Sequence, residues 1–358
     1  MKRLFLAALA TGILSSNASA QQAEITKWVE GALQRCPDSI VTLERLEAAG
    51  PANFVVYIAR QKSSDERCGS QKYVIHSPMT QQVIMGSIIR LPADSRPANV
   101  RINEQASSIM KTQITSTIAP FPLPDGIKDV AMNRTTPYGS FAYRGYLDSS
   151  GQFLLVGLRG NVRESPGAAL RKALQVENGA SRGSKGSSLE IIELSDFQCP
   201  TCARAHDRLE PLFAKNLDKV NYIRLDLPLF EHHDWALPAA MGARAIQRLA
   251  PAKYWLYVDE VFKNQEQLGT MKFDTFIRNF VEDHGLNWAA IEKIYASKAE
   301  HQALLDQVSR AFAVGLVSTP TFILNGQPVG FGDGTYAEET LRRAIGTTGT
   351  VKKKVASP

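Results

Sequence analysis

The chain has 358 residues, of which 44% are hydrophobic and 21% are charged, so it is long and apolar enough for two ordinary domains with their own cores. Its net charge is +6, but apart from the segment 352–354 the Lys and Arg residues are scattered, which does not support a nucleic-acid-binding face. No stretch after residue 20 is long and apolar enough to cross a bilayer, so we expect no membrane span in the mature chain.

Residues 1–20 have the features of a secretory signal peptide. Lys2 and Arg3 precede an apolar run over 4–14, and Ala18-Ser19-Ala20 is a small-residue cleavage site. The alternative is an uncleaved anchor, against which the cleavage site argues. We therefore expect the mature protein to lie outside the cytoplasm, in the periplasm or a comparable compartment, where disulfides persist.

The N-terminal region, 21–175, is predicted to be α+β. The apolar residues of 24–49 recur at helical spacing, with a break at Pro37. Three later segments are rich in β-branched and aromatic residues and predict strands: 53–58, 72–76 and 82–89.

The same region contains a candidate internal repeat. An offset of 71 places Gly86 on Gly157 and aligns the apolar residues that precede each glycine. Both segments continue through a proline, Pro97 or Pro166, into a predicted helix. We interpret 21–175 as two β-hairpin-plus-helix units, related by duplication or alike by the chance similarity of amphipathic hairpins.

The segment 176–188 is rich in Gly and Ser, which is typical of a flexible linker and marks a domain boundary. A second domain is predicted over 189–347, followed by a disordered basic tail over 348–358. This domain begins with a strand, a helix and a second strand, which implies a parallel pair. An almost entirely helical stretch follows over 235–316, before the chain returns to strand near Pro320 and closes with a helix.

A Cys-x-x-Cys motif lies at the first corner of this domain. Cys199 follows the apolar strand, and Pro200 occupies the first helical position, where its missing N–H costs nothing. A sulfur there faces unpaired backbone N–H groups and the positive end of the helix dipole, which favour the thiolate. Cys202 lies one turn further along the helix, so the two sulfurs can form a redox-active disulfide; we expect the pKa of Cys199 to lie below that of a free thiol. Pro200 and Thr201 place no cation beside the thiolate, so we expect its stabilisation to rest mainly on the backbone N–H groups of the helix.

The remaining cysteines bear on two alternatives. A single Cys-x-x-Cys can be half of a zinc site, but Cys36 and Cys68 form no second such motif, and we expect no metal. If Cys199 pairs with Cys202, Cys36 is left to form a structural bridge with Cys68, worth roughly 3–4 kcal/mol in the chain-entropy model. The alternative is two free, buried thiols.

With these motifs in place, the domain resembles the DsbA-like branch of the thioredoxin superfamily. The residues that carry the resemblance are Cys199-Pro200-Thr201-Cys202, Glu193, and Ser318-Thr319-Pro320-Thr321-Phe322, together with the helical pattern from His233 onwards. The resemblance covers about 189–347 and implies an α/β fold, namely a thioredoxin fold with a helical insertion. Residues 118–176 are also weakly similar, in pattern only, to the N-terminal modules of DsbC- and DsbG-type isomerases.

The resemblance implies roles for the site residues. Cys199 would be the nucleophile and Cys202 the resolving thiol. A cis Pro320 would lie against the cysteines, and the backbone of Thr319 would bind an extended client segment. Glu193 would be buried near Cys202 and relay protons; the alternative is a surface glutamate. His206 and His233 are further candidates for tuning the thiolate.

We therefore expect a thiol–disulfide oxidoreductase that needs no cofactor and donates disulfides to secreted clients. Its redox partner would be a membrane protein, either a quinone-linked oxidase or a thiol reductase. An isomerase or reductase of the DsbC/DsbG type is the second hypothesis, and a redox-inactive chaperone-like binder is the third. The direction of exchange depends on the reduction potential, which the sequence does not give. Pairing of the two N-terminal units within one chain favours a monomer.

Overall fold

The structure, a computed structural model, describes residues 20–36, 38–47, 50–330 and 335–347. The cleavage-site residues Ala18 and Ser19, the rest of the expected signal peptide before them, and the expected tail over 348–358 lie outside the described residues. None of the helices that the structure describes is long and apolar enough to cross a membrane.

The N-terminal region forms one eight-stranded antiparallel sheet with the order β1-β2-β3-β4-β8-β7-β6-β5. Helix α1 covers 20–32. The other elements are β1 Ile40–Arg45, β2 Val55–Lys62, β3 Ser70–His76, β4 Gln82–Arg90, α2 Ala98–Met110, β5 Thr115–Ile118, β6 Lys128–Thr136, β7 Gly139–Leu147, β8 Phe153–Asn161 and α3 Pro166–Leu174.

The prediction of two β-hairpin-plus-helix units omits two strands from each unit. Each unit has four strands followed by a helix, β1–β4 with α2 and β5–β8 with α3. The aligned glycines face each other, since Gly86 is the register partner of Gly157 in the β4–β8 pair. A Cβ at Gly86 would lie 2.0 Å from the Val156 carbonyl oxygen, so only glycine permits this crossing of the two units.

The prediction of helix over all of 24–49 is wrong in its second half. Residues 20–32 are helical, but Ile40–Arg45 form β1, which pairs with β2. Val41 and Leu43 are two residues apart, and both lie on the inner side of the strand. This two-residue spacing of apolar side chains is that of a strand and not of a helix.

The C-terminal sheet has five strands in the order β13-β12-β10-β11-β9, in which only β10 and β11 are parallel. Its elements are β9 Ala180–Gly183, β10 Glu190–Ser195, α4 Pro200–Ala214, β11 Asn221–Asp226, α5 Ala236–Leu249, α6 Tyr254–Lys263, α7 Gln265–Leu268, α8 Phe273–Asp283, α9 Trp288–Tyr295, α10 Lys298–Ala313, β12 Thr321–Leu324, β13 Gln327–Val329 and α11 Thr335–Thr347. The helices α5–α10 lie within the predicted insertion, 235–316.

The prediction of a flexible linker over 176–188 is wrong. Ala180–Gly183 form β9, an edge strand paired with β11, and Ala180 is buried. Gly183 has a φ of +89°, and a Cβ there would lie 2.1 Å from the Val220 carbonyl oxygen. Glycine is therefore required at position 183 because two backbone segments approach closely there, and not because the segment is flexible.

The two sheets are joined by α10, which packs on β7. The Ser309 hydroxyl donates to the Ala142 carbonyl oxygen, and the Gln302 side chain makes two hydrogen bonds with the Ser140 backbone. The segment after α1 also reaches the C-terminal sheet, because Arg35 forms a parallel bridge with Val329 at the outer edge of β13. The N-terminal region thus covers one edge of the C-terminal sheet.

Cys36 and Cys68 are joined by a disulfide, and both are buried. Structural disulfides have lower reduction potentials than redox-active pairs, so we expect this bridge to survive mild reduction that opens a Cys199–Cys202 disulfide. Mass spectrometry of the oxidised protein, after mild reduction and alkylation, measures both. Alkylated Cys36 in untreated protein would contradict the prediction.

Candidate active site

Cys199 lies at the corner between β10 and α4. It is the residue before the first helical turn, with an extended backbone at φ −70° and ψ 118°, and Pro200 begins the helix. Its carbonyl oxygen accepts hydrogen bonds from the N–H groups of Cys202 and Ala203, at 3.0 and 3.1 Å. The residue is 7% exposed, whereas Cys202 is 0% exposed. Both are free thiols in this structure.

The Thr319–Pro320 segment reaches Cys199 because β12 pairs antiparallel with β10. Thr321 is the partner of Leu194 in that register, so the residues just before β12 lie beside those just after β10. The Cys199 thiol donates to the Thr319 carbonyl oxygen at 3.5 Å, and the Thr319–Pro320 peptide bond is cis, the form that the resemblance implies.

The pKa of Cys199 is lowered from the ordinary value of a thiol to about 5. The largest cause is a hydrogen bond from the Cys202 thiol, which outweighs the opposing effect of burial. The Thr319 hydroxyl lowers the pKa further, followed by the backbone N–H groups of Cys202 and Thr201. The sequence-based expectation that backbone N–H groups dominate is therefore wrong, because the neighbouring thiol contributes more.

Burial is the largest cause that raises the pKa of Cys202 well above the ordinary value of a thiol. The backbone N–H of Asp196 donates to its sulfur at 3.5 Å. At neutral pH the site therefore holds one thiolate at the partly exposed position and one protonated thiol behind it.

We predict that alkylation of reduced protein is confined to Cys199 near neutral pH and loses half its rate as the pH falls to about 5, because the thiolate is the reactive form. Thr319→Val removes a hydroxyl that lowers the pKa of Cys199 and should move the midpoint to higher pH. Iodoacetamide labelling with mass spectrometry gives the midpoint. A midpoint above pH 8 in the unaltered chain would contradict the assignment.

Glu193 is 4% exposed, so the surface alternative is wrong. Its carboxylate accepts a hydrogen bond from the Tyr222 hydroxyl and lies 3.6 Å from Arg224 Nη1. Its hydrogen-bond and ion-pair partners among the described residues do not include Cys202. The burial that the resemblance implies is present, but these contacts do not support a proton relay to the cysteine.

The carboxylate that organises the site is Asp196, which the sequence analysis missed. It is fully buried and accepts hydrogen bonds from the N–H groups of Gln198 and Leu229, each at 2.7 Å, and from His233 Nδ1 at 2.8 Å. An aspartate that accepts from the N–H two residues later is a common turn pattern, and Asp196-Phe197-Gln198 could have suggested it. Asp196 thus ties the cysteine corner to the loop after β11.

Gln198 and Gln265 fix the corner from the other side. The Gln198 side chain donates to Asp234 and accepts from the Trp235 N–H, each at 2.7 Å. The Gln265 amide donates to the carbonyl oxygens of Phe197 and Cys199, at 2.8 and 3.1 Å. The inserted helices therefore hold the backbone around the nucleophile.

His206 contacts neither cysteine by a hydrogen bond among the described residues; it bonds Asp259 at 2.8 Å and packs on Phe262. Ligand atoms of His206, Asp259 and Glu210 lie within 4.8 Å of one another. However, Glu210 makes a two-pronged ion pair with Arg182, and that guanidinium opposes a bound cation.

The N-terminal sheet also approaches the site. Arg134 of β6 forms an ion pair with Glu231, and the Phe141 and Phe230 rings are 5.6 Å apart. A cavity of about 220 Å³ lies between them and is bordered by Val317, which is exposed on the loop before Thr319. Apolar surface is thus available beside the cysteine corner.

The C-terminal part of the chain is similar to known proteins. Residues 175–346 match the family model described as Thioredoxin. The Na(+)/H(+) antiporter NhaA 1 of Mycolicibacterium vanbaalenii is 26% identical over 170 residues, which are 46% of this chain and 26% of the antiporter. NhaA 3 of Salinispora tropica is 25% identical over 164 residues, covering 46% of this chain and 24% of that protein. The matches thus span about a quarter of these relatives.

Two solved structures are similar over about half of this chain. The thiol-disulfide exchange protein alpha-DsbA2 from Wolbachia pipientis has a TM-score of 0.42 and 20% identity, covering 51% of this chain and 93% of that one. MdbA, a thiol-disulfide oxidoreductase from Corynebacterium diphtheriae, has a TM-score of 0.38 and 20% identity, covering 44% and 84%. Similarities this weak do not indicate the activity of this chain. The family match agrees with the β10–α4–β11 core and its inserted helices, so the segment 175–346 has a thioredoxin-like fold.

Proposed function

We propose that this chain is a thiol–disulfide oxidoreductase that lies outside the cytoplasm and exchanges disulfides with client proteins through Cys199 and Cys202. The observation that carries the proposal is the asymmetry of the pair. Cys199 is the accessible sulfur, with a pKa of about 5, while the pKa of buried Cys202 is raised. One sulfur is therefore suited to attack or leave, and the other to resolve.

The exchange proceeds in two displacements. A client thiolate attacks Cys199 in the Cys199–Cys202 disulfide, which forms a mixed disulfide and releases Cys202, which takes a proton. A second client thiolate attacks the client sulfur of that bond and releases Cys199 as a thiolate. The client loses two electrons and two protons, and the two electrons reduce the active-site disulfide. The low pKa of Cys199 makes it a good leaving group and stabilises the reduced enzyme, which favours disulfide donation.

The Cys36–Cys68 disulfide supports the proposed location outside the cytoplasm. A second, buried disulfide away from the Cys-x-x-Cys pair is typical of proteins that fold in oxidising surroundings. Donation leaves the enzyme reduced, so a quinone-linked membrane oxidase is the redox partner that this direction requires. A thiol reductase would serve the opposite direction.

The test uses two model clients: one fully reduced protein with several cysteines and one with scrambled disulfides. We expect the oxidised enzyme to form disulfides in the reduced client faster than the reduced enzyme repairs the scrambled one. The Cys199→Ser/Cys202→Ser variant is the control and should do neither. Faster repair would favour an isomerase. Activity in neither assay, with suppressed client aggregation, would favour a redox-inactive binder.

A further inference from the structure

A cavity of about 470 Å³ lies between the second half of the N-terminal sheet and the C-terminal end of α10. Strands β5–β8 form one wall, and Arg310, Ala313 and Val314 form the other. A cavity of this size suits a small molecule.

Three arginines line this cavity: Arg144 on β7, Arg159 on β8 and Arg310 on α10. None of them forms an ion pair within the part of the chain that the structure describes. The Nε atoms of Arg159 and Arg310 are buried and have no hydrogen-bond partner there. A buried guanidinium N–H without a partner is costly, and few such groups remain unpaired in native proteins.

The charge of Arg144 acts on Arg310 across the cavity. Burial is the largest cause that lowers the pKa of Arg310; Asp306 opposes it, the charges of Arg144 and Arg244 lower the pKa further, and Glu177 raises it slightly. The Arg159 guanidinium lies 5.9 Å from the Tyr146 ring centre, and the charges of Arg144 and Asp129 also act on the pKa of Tyr146. Asp129 is the one acidic residue among the described residues of the lining, so positive charge is in excess.

We propose that this cavity binds a small multivalent oxyanion, with two or more phosphate or carboxylate groups. A guanidinium presents parallel N–H donors that match the oxygen atoms of both groups. Such a ligand would give Arg159 and Arg310 the acceptors that the protein does not supply, and it would offset the repulsion between Arg144 and Arg310. The lining also includes apolar residues such as Val314, which lower the local dielectric and strengthen these contacts.

The ligand would also connect the two halves of the molecule. Arg144 and Arg159 belong to the N-terminal sheet, whereas Arg310 belongs to the helix that leads into the Thr319–Pro320 segment. An anion that contacts all three would therefore stabilise the packing of α10 on β7, independently of the chemistry at Cys199.

The test measures binding of pyrophosphate and of citrate to the full chain by calorimetry, at constant ionic strength. Arg159→Gln/Arg310→Gln should raise the Kd of the preferred anion at least tenfold. Arg90→Gln/Arg163→Gln, which removes the same charge from two exposed arginines outside the cavity, should leave it within twofold. The pair of probes decides between phosphate and carboxylate recognition.

Absence of binding of both anions to the unaltered chain, or an equal loss in the two double variants, would overturn the proposal. An unchanged Kd in Arg159→Gln/Arg310→Gln would do the same. Alkylation of Cys199 should proceed at the same rate in all variants, which shows that the fold is intact. If the double variant does not fold, the single variants Arg159→Gln and Arg310→Gln replace it, and each should weaken binding.

Discussion

Replacing Cys199 with alanine is expected to reduce disulfide exchange to the uncatalysed rate, whereas Cys202→Ala should accumulate stable mixed disulfides with client proteins. The reason is the geometry of the pair: Cys199 is the sulfur that a client can reach, and fully buried Cys202 can act only on a bond already formed at Cys199. Loss of the resolving thiol therefore halts the reaction after its first displacement.

Non-reducing gels of proteins that co-purify with the Cys202→Ala variant measure the adducts. They should disappear on treatment with reductant and should be absent from the Cys199→Ala/Cys202→Ala control. Adducts on Cys199→Ala, with none on Cys202→Ala, would reverse the roles assigned to the two sulfurs.

The second large effect is expected at Arg224, a guanidinium in the interior of the thioredoxin domain. It is 1% exposed, lies 3.2 Å from Asp226 and 3.6 Å from Glu193, and stacks on Phe197 at 4.3 Å. Removing one member of a buried ionic group leaves the others uncompensated and costs roughly 3–5 kcal/mol. We expect Arg224→Met to lower the free energy of unfolding by about that amount at neutral pH.

The loss should depend on pH. Burial is the largest cause that raises the pKa of Asp226 to about 6, and Arg224 opposes it. A carboxyl whose pKa is higher in the folded than in the unfolded state makes folding less favourable as the pH rises between the two values. Without Arg224 the folded pKa rises further, so the penalty continues to grow above pH 6. The variant should be least stable relative to the unaltered protein at pH 8, and the difference should shrink at pH 5.

Urea unfolding at pH 5 and pH 8 measures this difference. Arg224→Met/Asp226→Asn is the matched control, because it removes both charges and should recover part of the stability at pH 8. A loss for Arg224→Met that is independent of pH would show that packing against Phe197, and not the ionic group, determines the stability.

The sequence predicted the parts of the site that depend on local chemistry. Cys199, Pro200 and Cys202 define a strand-to-helix corner by residue type alone, and the register of β12 on β10 brings Thr319 to it as the resemblance implied. Asp196 could not be assigned, because its partner Leu229 lies 33 residues away and is reached only through the crossover to β11. The low pKa of Cys199 was expected, but its main cause depends on a thiol-to-thiol contact that no sequence pattern reports.

The errors in the predicted fold also come from long-range contacts that the sequence pattern does not report. Val41, Leu43 and Leu46 suggest helical spacing, but Val41 and Leu43 have the two-residue spacing of a strand, and pairing with β2 makes this segment β1. The glycines and serines of 176–188 suggested a flexible linker, but the free edge of β11 binds Ala180–Gly183 as β9. In both places a long-range strand pairing outweighed local composition.

The crossing of Gly86 and Gly157 has a consequence for how the N-terminal sheet responds to dilution. Two four-stranded units on separate chains would associate only in proportion to their concentration and would separate on dilution. Here the units are covalently linked, so each experiences the other at an effective concentration set by the intervening chain, of millimolar order for short flexible connections. The β4–β8 junction should therefore persist at any dilution, and the sheet on which α10 rests does not depend on the protein concentration.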